Sequence, residues 1–65
     1  MKIDDRVKAV QSVGLVPTGT LGTVIDVVRE GGDVVRLGVA WDTGKITKLN
    51  LWSFTGGWKT VIRRA

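Results

Sequence analysis

Between positions 41 and 63 this 65-residue chain intersperses flat aromatic side chains with cations. Trp41, Trp52, Phe54 and Trp58 are its only aromatic residues, and Lys45, Lys48, Lys59 and Arg63 lie among them. Cations neutralise phosphates, and flat rings stack on bases for about 1–3 kcal/mol each, which is how single-stranded nucleic acid is held. Lys45, Lys48, Trp52, Trp58, Lys59 and Arg63 are therefore the expected contact residues for a nucleic acid or a protein partner. Trp41 is set apart. It is in phase with Val35, Leu37 and Val39, so it is expected in the core.

Other chemistries lack their residues. With no histidine and no cysteine, the chain offers neither the usual zinc ligands nor the base or thiolate of a nucleophilic triad. Asp4 and Asp5 read as solvated loop charges, and Asp42 as a turn residue whose carboxylate caps the backbone N–H groups after it. No P-loop or dinucleotide fingerprint is present. The expectation is a protein without cofactor or metal that is not an enzyme.

Charge is distributed unevenly. Residues 1–42 carry five Lys or Arg against six acids, whereas residues 43–65 carry five cations and no acid. This asymmetry favours an anionic partner. Apolar excess points elsewhere: Val24, Ile25, Val27 and Val28 are apolar at both phases of a strand, and Val13, Leu15 and Val16 add to them in a loop. A domain this small has one interior, so self-association through residues 22–29 or 11–21, or docking of another protein, is the competing expectation. The opening MKIDDRVKAV places acids where a secretory leader needs apolar residues, and no apolar run is long enough to span a membrane. A cytoplasmic protein with no membrane partner is expected.

The elements that must position these residues all read as strands. Valine and isoleucine fit a pleated sheet, and nine glycines and one proline leave no helix-length segment unbroken. The first strand is expected near 6–10, followed by a long loop (11–21) with a Pro17-Thr18-Gly19 turn. The second runs over 22–29, with Gly22 marking a bulge or a close backbone crossing. Residues 30–33 (EGGD) form a hairpin turn into the third strand, 34–41. Asp42-Thr43-Gly44 turns into the fourth, where Ile46 and Lys48 share one face and Thr47 and Leu49 the other. A single 3₁₀ turn is expected in NLWSFTGG, and the closing strand over 58–63, where Lys59, Val61 and Arg63 oppose Trp58, Thr60 and Ile62. Residues 1–5 and 64–65 read as loose ends.

The order DDRVKAV, long loop, GTVIDVV, hairpin, GVAWDTGK, short strand, turn, WKTVIR resembles the SH3-like small β-barrels. It is similar within them to the KOW-type and mind-bomb-type domains. The resemblance covers nearly the whole chain and implies an all-β, five-stranded barrel, one domain over residues 1–65. It implies little about function, because this fold hosts many unrelated tasks. The plasmid-type dihydrofolate reductases are similar in size and in the DRV opening. Their Val-Gln-Ile-Tyr strand has no counterpart here, where the fourth strand reads KITKL.

Overall fold

The structure, a computed structural model, describes residues 1–50 and 60–65. Five strands, β1 (Arg6–Ala9), β2 (Leu21–Glu30), β3 (Asp33–Trp41), β4 (Ile46–Asn50) and β5 (Ile62–Arg64), form one antiparallel sheet in the order β4-β3-β2-β1-β5. β4 and β5 are its two edges among the described residues. The all-β expectation holds, and the first four strands match their sequence bounds to within one residue. Of NLWSFTGG (50–57), where the 3₁₀ turn is expected, Asn50 ends β4 and the rest lies outside the described residues.

β2 and β3 meet at Gly31-Gly32, whose φ values of 58° and 89° suit a two-residue turn in which both central residues are left-handed. The ladder between these strands carries two bulges. Val24 pairs with Val39 and Asp26 with Gly38, so Ile25 is an extra residue on β2. Val28 pairs with Arg36 and Arg29 with Val34, so Val35 is the extra residue on β3. Each bulge reverses the in–out alternation. Past Ile25, Asp26 takes the outer face and Val27 pairs with Leu37 against the core; past Val35, Val34 rather than Val35 packs on the core. Ile25 itself is 44% exposed. The two-sided apolar content of β2 is therefore resolved by inserting one residue.

The core lies on the inner face. Val7 and Ala9 of β1, Val24 of β2, Leu37, Val39 and Trp41 of β3, Leu49 of β4 and Ile62 of β5 are buried, with Val13, Val16 and Val61 from the connections. Gly22 stands in register between Val7 and Trp41, and a Cβ there would lie 2.8 Å from Trp41 Cε3. The glycine is needed because the indole lies over it. At the wet end of the core the Trp41 indole N–H donates to Thr47 Oγ1 at 3.0 Å.

Two expectations need correction. The last strand is Ile62–Arg64, and Val61 is fully buried in the turn before it rather than facing outward beside Arg63. The chain ends are not loose. Asp4 N–H donates to the Val24 carbonyl at 2.8 Å and Ala65 N–H to the Arg6 carbonyl at 3.0 Å. Met1 packs on the core, and its carbonyl accepts from Arg29 Nη2 at 2.9 Å.

Candidate functional site

The loop over 11–20 decides where the sheet can be reached. It leaves β1 and returns through the Pro17–Thr20 turn, where Thr20 donates from both backbone and side chain to the Pro17 carbonyl at 3.2 and 2.7 Å. Farther out, Val13 and Val16 exchange two backbone hydrogen bonds of 2.8 Å, which forces a tight turn through Gly14 at φ 56°. That turn buries Val13 and Val16 and leaves Leu15 at its tip 82% exposed.

Opposite the loop, β3 passes into β4 through Asp42–Lys45. Gly44 N–H donates to the Trp41 carbonyl at 2.9 Å, and Trp41 N–H to the Lys45 carbonyl at 2.7 Å. The loop and the start of β4 enclose a groove of about 380 Å³, lined by Val13–Val16 on one side and Lys45, Ile46 and Thr47 on the other. Ile46 is 64% exposed. The site is thus a groove of mixed lining, with Val13, Leu15, Val16 and Ile46 as its apolar part and a cation at its rim, a combination suited to an apolar side chain next to an anion.

β4 adds backbone chemistry. In an antiparallel ladder, hydrogen-bonded and non-hydrogen-bonded pairs alternate. The Trp41 to Lys45 bond fixes the phase, and Thr47 opposite Val39 and Leu49 opposite Leu37 are the next bonded pairs. Ile46, Lys48 and Asn50 therefore direct their N–H and C=O groups away from β3, toward the edge that no strand covers among the described residues. Their side chains share the outer face, as expected for Ile46 and Lys48.

Of the expected contact residues, Lys45 and Lys48 are exposed and stand at this groove and edge. Arg63 is exposed on β5, the opposite edge, in register with Lys8 of β1. Trp52, Trp58 and Lys59 lie outside the described residues. Lys8 was missed by the sequence reading. It stands 55 positions from Arg63, and only the β1–β5 pairing brings the two cations opposite each other. The acids Glu30 and Asp33 sit at the far hairpin tip, at the other end of the strands from Lys8, Lys45 and Arg63.

Asp42 also departs from expectation. Its carboxylate does not cap the turn; it accepts from Arg6 Nη1 at 2.9 Å and Nη2 at 2.8 Å, and Arg6 Nη1 also donates to Thr23 Oγ1 at 2.8 Å. This fork-to-fork pair lowers the Asp42 pKa and raises that of Arg6. The hydrogen bond from Lys2 N–H, opposed in part by desolvation and supported by Arg64 and other nearby positive charges, holds Asp5 below its ordinary value. Among the described residues no three acidic side chains gather as a metal site, and no helix is long and apolar enough to cross a membrane. Comparison with known proteins returns no match, whether to a family model, a curated protein or a solved structure.

Proposed function

We propose that this chain is a small SH3-like barrel acting as a binding module, in which an extended segment of a partner protein docks along β4 and into the adjoining groove. Strand order supports the barrel part of this reading. A ten-residue β2, bulged at Ile25, can bend between the β1–β5 and β3–β4 parts of the sheet and let it curl around the core. The observation that carries the docking part is the coincidence of a strand edge left unpaired among the described residues with a groove walled by exposed Leu15 and Ile46. Main-chain groups of an added strand would supply affinity, and the groove would select one of its side chains.

Backbone amide spectra of the whole chain, titrated with an alternating Val-Gln peptide of about ten residues, a typical strand length, test this reading. Shifts confined to Ile46–Asn50 and Val13–Val16, with weak salt dependence, are expected. Shifts confined to other regions overturn it.

A second reading, binding of single-stranded nucleic acid, is favoured by one observation: Lys8 and Arg63 face each other across a ladder without a carboxylate partner among the described residues. With Lys45, Lys48 and Lys59 they would neutralise phosphates while Trp52 or Trp58 stacks on a base. Tryptophan quenching by random oligonucleotides should then fall with salt, log K changing by about −0.7 per phosphate neutralised for each unit of log salt concentration. No binding at about 50 mM salt removes this reading. Self-association is the other way to cover Leu15 and Ile25; a concentration-independent mass of 7.0 kDa in light scattering would exclude it.

A further inference from the structure

We infer that the strand received by β4 is acidic, an inference that rests on the docking reading above and adds the chemistry of the partner. Three features of the edge carry it.

The first is charge. Lys48 occupies the outer face of the edge strand and Lys45 the rim of the groove; neither forms an ion pair among the described residues, whose two salt bridges are Arg6–Asp42 and Arg64–Asp5. Asp26, the acid in register with Lys48 across Gly38, shares the outer face with it but makes no salt bridge to it. Arg36 is diagonal to Lys48 on the same outer face, so the cation row continues inward from the edge. A strand laid on β4 sets its own outward side chains beside Lys48.

The second is a bias against the commonest occupant of an unpaired edge, another copy of the same strand. Antiparallel pairing of two β4 edges about Lys48 places Lys48 directly opposite Lys48. Sliding the copies so that Ile46 faces Lys48 leaves the two lysines on one diagonal, about 7–8 Å apart. Both registers cost like-charge repulsion, which an acidic strand converts to attraction. The same lysine that opposes self-pairing selects its partner.

The third is geometry. Ile46 both presents its N–H and C=O to the open edge and lines the groove, so a strand following β4 toward Ile46 runs into the space beside Leu15. The fitted ligand is an extended peptide with acidic residues on one face and an apolar side chain at the end that reaches the groove.

The test uses the full chain and three fluorescent peptides of about ten residues, alternating valine with glutamate, glutamine or lysine. The glutamate peptide is expected to bind about three- to tenfold more tightly than the glutamine peptide, and the lysine peptide most weakly. Lys48→Glu should reverse the order of the two charged peptides. Ile46→Pro removes the outward N–H at the first position of the strand, where the β3 ladder does not use it, and should abolish binding of all three. Equal affinity for the glutamate and lysine peptides, or an order unchanged in Lys48→Glu, overturns the acidic inference while the docking reading stands. Absence of any peptide-induced shift at Ile46 and Lys48 overturns both, and that measurement requires no variant. Strong exchange protection of the Ile46 and Lys48 amides in the free protein also overturns both, because the edge would then already be paired within the chain.

Discussion

Trp41 lies directly on Gly22: a methyl group at position 22 would stand 2.8 Å from Trp41 Cε3, 2.8 Å from Val39 Cγ1 and 3.0 Å from the Ala40 carbonyl oxygen. Backbone and a buried indole cannot retreat as a surface side chain does. Gly22→Ala is therefore expected to destabilise the fold by about 1–3 kcal/mol, the usual cost of overpacking. Urea denaturation midpoints measure this; a midpoint equal to that of the parent would mean that the indole is free to move off the glycine.

The bulge at Ile25 separates two neighbouring aliphatics of opposite importance. Ile25→Thr should change stability by no more than about 0.5 kcal/mol, as exposed substitutions do. Leu37→Ala removes a fully buried side chain from the facing strand and should cost about 2–5 kcal/mol. Deleting Ile25 has a different effect. Asp26 would still pair with Gly38 and Val27 with Leu37, so the ladder becomes regular and the chain should keep a cooperative denaturation transition while losing the bend that the bulge gives β2.

At the β2–β3 turn, Gly31 and Gly32 both hold positive φ with open space around them. Space is available, but a β-branched side chain pays the left-handed penalty of about 1–2 kcal/mol. Gly32→Val should show that loss in thermal denaturation, whereas Gly31→Asn, which matches the residue preference of this turn, should leave stability near that of the parent.

The carboxylates of Asp5 and Asp42 predict the pH profile. Both have folded pKa values below the ordinary 3.8, so their contribution is complete above that value and disappears as pH falls through the lower, folded values. Arg6 is shifted the opposite way, upward from its ordinary value by its hydrogen bonds to Asp42, and its contribution is lost only in strong alkali. With no histidine, stability should stay flat between about pH 5 and 9 and fall in acid. Thermal denaturation across pH 2–7 (chosen to span the carboxylate range) checks this, and Asp42→Asn should flatten the acid limb. A decline centred near neutrality would contradict the assignment.

The sequence made the strands legible because valine-rich segments are cut at glycine turns, and the alternation from Leu37 to Trp41 gave the core face of β3 directly. It did not reveal the bulges. One inserted residue changes the phase without changing the composition, so Val35 read as a core residue when Val34 is the one that packs. The Arg6–Asp42 pair was hidden for another reason. Its members are 36 positions apart and meet only because β1, β2 and β3 are neighbours in register. At the candidate site, charge identified Lys45 and Lys48. The groove was not visible because it depends on the reciprocal Val13–Val16 bonds that fold the loop back toward β4. Lys8 escaped notice because it lies in the half of the chain whose charges nearly cancel.

The pairing of β1 with β5 has a consequence for how the molecule can be rewired. Val7 faces Arg64 and Ala65 is hydrogen-bonded to Arg6, so the last strand returns the chain to the start of β1, five residues from Met1. A short Gly-Ser bridge joining the two ends, with the chain reopened at Gly31-Gly32, would give a circular permutant running β3-β4-β5-β1-β2 and preserving every ladder. The β2–β3 pairing, now the most local in the sheet, would become the most distant. Such a permutant should reach the same final architecture, but more slowly.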